Sequence, residues 1–535
     1  MTHGMVCAPQ PEAVEAGVLA LKSGGNAVDA AIACALVQTA VDPQMCGIAG
    51  FGSMHLYLPN RGEHTFIDFH GRAPRATRED MWEHLVQAET EDGFGFILEG
   101  YVNDIGYQSI TTPGSLMAYA EALSRFGTKS LGDLMEPAIR YCEDGFIVRQ
   151  HVAYYWNLVE SAGRLPHIER LTRFPATAKI YLKPDGNVRK AGETHRNPDM
   201  GRTYRRIADD GADSFYRGEI ANEIDADMKT NDALLSIEDL NAYRTEPNEP
   251  LWGEYRGHRI ATNRLPGGGT MVLEMLNILE RFDLASMGHD SARYIATLAE
   301  AMKIATVDKD AHMGDPRFVD VPLDRLLSKA YAGEMAARIE RREKTHVPRY
   351  RRTEESKDTT HVCTVDEHGN CVTMTHSLGT PSGVVTEGLG FMYNGCMGVF
   401  DPRPGGPDSL AAGKSRFTAM SPTMVFKDDR PVLVIGAPGG THITMGLLQG
   451  ILNVIDFGMD ALHAVGAPRF CATSDIIDLT NRIPRYVEAD LNGMGYETRR
   501  THLSYHFAGV HAIRFTKDGW DGGADPGRDG MALAT

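Results

Sequence analysis

Apolar and small residues recur at helical spacing from residue 11 to residue 41, interrupted only by SGGN. The stretch PEAVEAGVLALKSGG reads as a helix ending at Gly24 and Gly25, a glycine C-terminal signal. AVDAAIACALVQTAV is apolar or small on nearly every face, which predicts a helix buried on most sides. Asp42-Pro43 ends it. GIAGFGSMHLYLP then reads as a glycine-rich entry into a strand, with EHTFIDF as its partner.

From about residue 113 the period is helical again, in SLMAYAEALSRFG and SLGDLMEPAIRYCEDGF, each ending near a glycine. Residues 190–245 read as amphipathic helices with polar loops, GHRIATN as a strand, and PGGGTMVLEMLNILERF as a glycine loop opening a helix. Residues 335–358 are densely charged and read as a solvated, partly disordered stretch. Strands are expected to dominate from 359 to about 394, followed by the loop DPRPGGPDSLAAGKSR. PVLVIGAPGGTHITMGLLQGILNVI reads as strand, glycine turn and helix, and GVHAIRFTKDG as a late strand. The pattern predicts one α/β body with a helix-rich first two-thirds and a strand-rich last third.

In KDTTHVCTVDEHGNCVTMTHSL two β-rich runs flank EHG. A three-residue hairpin loop places its last residue in the left-handed region, and Gly369 suits that position. Asp366 then pairs with Asn370, and continuing the register sets Thr359 opposite Ser377. Alternation along the strand turns Thr360 to the other face. A Thr–Ser cross-strand pair is common in sheets and worth a few tenths of a kcal/mol. The same pair acquires a chemical meaning if the chain is cut before Thr359. The new α-amine would titrate near ~7.7–8.0 and so accept a proton at neutral pH. It could then activate the hydroxyl of its own residue as a nucleophile.

Charge and composition narrow the picture. A formal net charge of −17 argues against nucleic acid or an anionic membrane as partner. No run of apolar residues is long enough for a transmembrane helix. The beginning MTHGMVCAPQ lacks a basic segment before an apolar one, so a cytoplasmic location is expected. The 8 cysteines form no CxxC pair and are expected to be reduced and structural. His361, Cys363 and His368 match no metal-ligand spacing, and no cofactor or metal is expected.

The sequence resembles the γ-glutamyltransferase family of N-terminal-nucleophile hydrolases over nearly its whole length. The resemblance rests on LKSGGNAVDAAIACAL, TTPGSLMAYAEALSRFG, DGFIV, SIEDLNAY, YRGHRI and MGDPRFV, then on TTHVCTVDEHGNCV, MSPTMVF, GAPGG and GAPRF, in the family's order. It implies a four-layer αββα sandwich and a precursor that cleaves itself into a large subunit, 1–358, and a small one, 359–535. Whether such pairs dimerise stays open. By the same resemblance Thr359 attacks a small-molecule amide and forms an acyl-enzyme, which water or an amine acceptor resolves. Ser377 stands where a family hydroxyl, usually Thr, orients the nucleophile. Gly439 and Gly440 match the oxyanion hole, and backbone N–H groups at a strand-to-helix turn suit that role. The loop LPGGGT at 265–270 is taken as structural.

The substrate-reading positions depart from the family. In DFHGRAP, His70 stands where the family has Arg, and Arg72 follows two positions on. Histidine is neutral for much of the time at pH 7 and offers no bidentate fork. In NGCMGVFDP, Val399 replaces the amine-binding Asp, with Asp401 the nearest acid. The family's Ser-Ser is Thr418-Ala419, its Asn two places after the orienting hydroxyl is Gly379, and the Phe400–Thr418 loop is short for its lid. Arg72, His70, Asp401, Thr418 and Ala419 are therefore the candidate substrate-binding residues. The expectation is hydrolysis of an amide of a small anionic acyl group other than plain γ-glutamyl. Two alternatives stand beside it: a γ-glutamyltransferase acting on glutathione, and an unprocessed binding relative.

Overall fold

The computed structural model describes residues 3–90, 93, 95–158, 163–348 and 359–535. Two antiparallel sheets form its centre. The first has seven strands in the spatial order Met531–Ala534, Gly4–Ala8, Thr360–Asp366, Cys371–Ser377, Phe51–Leu58, Glu63–Phe69, Glu246–Asn248. The second has six, in the order Gly519–Ala524, His511–Thr516, Arg430–Gly436, Thr423–Lys427, His258–Thr262, Leu251–Tyr255. Met5, Cys7, Cys363, Val365, Met424, Val434 and Ile513 fill the space between them. Helices Pro11–Lys22, Ala27–Val41 and Ser115–Phe126 cover the outer face of the first sheet, and Gly269–Leu279 and Ile443–Ile455 that of the second. The order helix, sheet, sheet, helix is the predicted αββα sandwich.

Local chemistry explains the helix that carries the most burial. All residues of Ala27–Val41 are buried, as the absence of a polar face requires. Asn26 caps it, accepting from the N–H groups of Val28 and Asp29, while Asp29 returns a bond to the Asn26 N–H. This reciprocal box satisfies N–H groups that would otherwise be orphaned at a buried helix start. The helix stops at Asp42, as the following proline demands.

Two expectations need correction. Strands do not continue to residue 394: among the described residues the last of that run ends at Ser377, and residues 378–422 hold only isolated bridges. Positive φ angles at Gly379, Gly383, Gly388 and Gly390 break any extended ladder there. The charged stretch begins as an ordered helix, Lys329–Glu340, because Tyr331, Met335, Ala336 and Ile339 recur on one face and are buried; residues 349–358 lie outside the described residues. Both sheets take strands from both sides of residue 358.

Candidate active site

The hairpin fixes the central geometry. The Asp366 N–H donates to Asn370 O at 3.1 Å and Gly369 has φ 78°, so the three-residue loop forms as read from the sequence. The register runs Thr360↔His376, His361↔Thr375, Cys363↔Thr373. One step beyond, Thr359 Oγ1 lies 3.2 Å from Ser377 Oγ, with both side chains buried. The Gly379 N–H donates to Ser377 Oγ at 2.8 Å and holds that hydroxyl in place. Thr360 faces the helix layer, where it bonds Gln38 at 3.0 Å and Gln10 at 3.2 Å.

The Thr359 face is the one between the sheets. Thr373 Oγ1 donates to Ile435 O at 3.4 Å, and a Cβ on Gly436 would fall 2.1 Å from the His361 ring. The step from 363 to 361 thus advances from 435 to 436 on the opposite strand. Continued in the same direction, the strand carries Thr359 and Ser377 toward the turn that follows Gly436. That turn contains Gly439 (φ 140°) and Gly440 (φ 55°) and leads into helix Ile443–Ile455. Continuing sideways, Ser377 is opposite Phe51, and Phe51 falls opposite His70 when the pairing Gly52↔Phe69 is extended by one residue. Thr359, Ser377, Phe51 and His70 thus form a row across four strands at one end of the first sheet.

The candidate substrate-binding residues divide. His70 is buried, with Nε2 3.8 Å from Asp68 Oδ1. Burial raises the Asp68 carboxyl despite His70 and hydrogen bonds from Ser53 at 2.5 Å and Asn248 at 2.8 Å. Arg72 turns away toward Glu246, 2.5 Å off, and lies over the Tyr243 ring. Asp401 is held bidentately by Arg403 at 2.8–2.9 Å, and Arg403 also meets Glu89 at 3.0 Å. A cavity of ≈ 240 Å³ adjoins this cluster, lined among others by Lys309, Val399, Asp401 and Phe417. Arg72 and Asp401 are thus both matched by charges of the protein itself.

Thr418 and Ala419 are laid on the glycine loop that the sequence marked as structural. The Thr418 N–H donates to Pro266 O, and the Gly268 N–H to Met420 O, both at 2.8 Å. A Cβ on Gly268 would come within 2.6 Å of Ala419 O, so this contact requires glycine. Asn263 Nδ2 ties the same segment to the first sheet through Met420 O at 2.8 Å and Ser53 Oγ at 3.3 Å. The sequence reading missed Asn263, Phe51 and Arg416. Only Arg416 carried a signal, as a cation two residues before Thr418. It is buried, with its guanidinium carbon 4.7 Å from the centre of the Phe51 ring.

His361 and Cys363 belong to the interior of the sandwich. His361 Nε2 lies 3.2 Å from Cys363 Sγ, and its ring also bonds Thr373 and Thr375. Burial pulls the imidazole well below its usual pKa, and burial pushes the Cys363 thiol up to about 12. His368 sits in the hairpin loop, at the opposite end of the strand from Thr359. Among the described residues no group of three or more His, Cys, Asp or Glu side chains is placed to hold a metal ion. Nor is any helix among them long and apolar enough to cross a membrane.

Comparison with known proteins bears on the same site. A family model described as Gamma-glutamyltranspeptidase matches residues 13–535. The chain is 36% identical over 542 residues to the Acylase ACY 1 proenzyme of Pseudomonas sp. (strain SE83), covering 100% of this chain and 94% of that protein. It is 32% identical over 554 residues to the Glutathione hydrolase proenzyme of Bacillus subtilis (strain 168), covering 99% and 91%. Its fold superposes on the crystal structure of cephalosporin acylase from Bacillus halodurans with a TM-score of 0.89 at 29% identity, covering 99% and 96% of the two chains.

Proposed function

The chain belongs to the gamma-glutamyltranspeptidase family, and from that premise we propose that it is a proenzyme whose nucleophile is Thr359. The observation that carries this reading is the buried Thr359–Ser377 hydroxyl pair at 3.2 Å, on the face between the sheets.

In processing, Thr359 Oγ1 attacks the Asp358 carbonyl carbon. The C–N bond breaks as an ester forms, and the proton passes to the nitrogen. Water then opens the ester, leaving Asp358 with a carboxylate and Thr359 with an α-amine. The products are a large subunit, 1–358, and a small subunit, 359–535. In turnover the neutral amine takes the hydroxyl proton while Oγ1 attacks the substrate amide. The N–H groups of Gly439 and Gly440 hold the oxyanion, a contribution that such donors make mainly in the transition state. The leaving amine departs with a proton, and water or an acceptor amine releases the acyl group from the ester. Ser377 orients Oγ1 throughout.

For the substrate, an amide of a small anionic acyl group lacking an α-amine is favoured over γ-glutamyl. The acid that would read the amine is replaced by Val399, and Asp401 is neutralised by Arg403. Names among the relatives favour both acylase and glutathione hydrolase activity, so the choice is left to a substrate panel. Intact-mass measurement should show cleavage before Thr359, and Thr359→Ala should abolish both cleavage and turnover. A single uncleaved wild-type chain, or a cleaved Thr359→Ala variant, would remove Thr359 from the mechanism. Efficient turnover of γ-glutamyl-p-nitroanilide without turnover of the glutaryl amide would reverse the substrate preference.

A further inference from the structure

An anionic acyl group calls for a cation within reach of the row that begins at Thr359. We propose that Arg416 is the specificity-determining residue that holds the acyl group's carboxylate; this rests on the reading that Thr359 is the nucleophile.

Position is the first argument. The Arg416 guanidinium covers the ring of Phe51, the residue opposite Ser377 in the row that begins at Thr359. Nη1 donates to Phe417 O at 3.1 Å, which anchors the head group over the ring. The second argument comes from Gly379. A Cβ on that residue would stand 3.0 Å from Cys396 Sγ, 3.4 Å from the Phe51 ring and 3.5 Å from Arg416 Nη2. The guanidinium therefore borders the residue whose N–H holds Ser377 Oγ. By the resemblance, relatives carry Asn at this position. A side chain at 379 would therefore lie in contact with the Arg416 guanidinium.

Electrostatics is the third argument. Arg416 is only 5% exposed, and a guanidinium there acts through less screening than at the surface. Burial raises the Cys396 thiol, and Arg416 pulls it partly back. Asp408 lies near the cations Lys309, Lys414 and Arg416; burial is the largest influence on its carboxyl and raises it. Its carboxylate accepts the Phe417 N–H at 2.9 Å. The planar fork of Arg suits a carboxylate, whereas Lys offers a point charge.

The test uses the processed enzyme and a matched pair of substrates, glutaryl p-nitroanilide and the same compound with its terminal carboxylate converted to a carboxamide. The measured quantity is the ratio of their kcat/KM values. Wild type should prefer the carboxylate. Arg416→Gln should lower the ratio by roughly 10- to 100-fold, the range of a hydrogen bond to a charged group, and Arg416→Lys should retain part of it. Gly379→Asn provides a second route. Asn tolerates the positive φ, and its side chain should displace the guanidinium and lower the ratio in the same direction. If Arg416→Gln is not processed, the ratio in Gly379→Asn decides the matter. A wild type without preference, or an unchanged ratio in the processed variants, overturns the role of Arg416 and leaves Thr359 untouched. Failure of Thr359 itself shows separately, as an absence of cleavage.

Discussion

At the residue scale, two adjacent threonines have different fates because a strand alternates. Thr359 meets Ser377 between the sheets, and Thr360 meets Gln38 and Gln10 under the helices. This much was legible in the sequence, since a single glycine-terminated loop sets the register of the whole hairpin. The chemistry of Thr360 is structural. Thr360→Val should cost about 1–3 kcal/mol of unfolding free energy by removing two buried hydrogen bonds, although Gln10 and Gln38 stay bonded to each other, and cleavage before Thr359 should persist. Urea denaturation together with intact-mass measurement checks both halves. The roles of Arg72 and Asp401 were not legible. A charged residue at a plausible position says nothing about which opposite charge will reach it first, and Glu246 and Arg403 come from elsewhere in the fold or from a loop turning back on itself.

At the element scale, helices were legible wherever the apolar period was long and the caps were explicit, as at Ala27–Val41. What joins the elements was not. His151, on helix Gln150–Trp156, lies 3.1 Å from Asp42 at the end of Ala27–Val41 and 3.0 Å from Asp529 ahead of the last strand. Burial alone would lower the imidazole, but the bonds it donates to both carboxylates outweigh it and leave the pKa raised. Burial likewise opposes the charge on Asp42, yet the carboxylate is held below its usual range by His151, Arg149 and Gln10; the His151 bond does the same for Asp529. A raised histidine stabilises fully below its unfolded pKa of about 6.5 and loses that contribution as pH rises through the folded value. Lowered carboxylates contribute above about 3.9 and lose it as pH falls. The cluster therefore stabilises most from about pH 4.5 to 6.5. His151→Gln should cost about 1–3 kcal/mol near pH 5.5, and the difference from wild type should shrink as pH rises through the raised folded pKa of His151. Denaturation curves at a series of pH values measure it.

At the scale of the whole molecule, each sheet is woven from segments on both sides of residue 358. The strand Gly4–Ala8 pairs with Thr360–Asp366 and Met531–Ala534, and Phe51–Leu58 with Cys371–Ser377. Separating the two parts would open these ladders and expose the core between the sheets. After cleavage the parts should stay together: denaturing electrophoresis should show two bands, while light scattering in native buffer should show no component lighter than the intact 58.6 kDa chain. Recovery of either part alone without denaturant would contradict this. The sequence by itself determined the family, the fold class, the hairpin register and the nucleophile candidate, because each rests on local order along the chain: period, turn residues and motif succession. The tertiary structure alone decided where the charges stand relative to the row that begins at Thr359. Arg72 and Asp401 are held by partners, and Arg416 reaches the row that begins at Thr359 from a loop far along the chain. Ion pairing depends on distances across the fold, and spacing along a chain does not determine them.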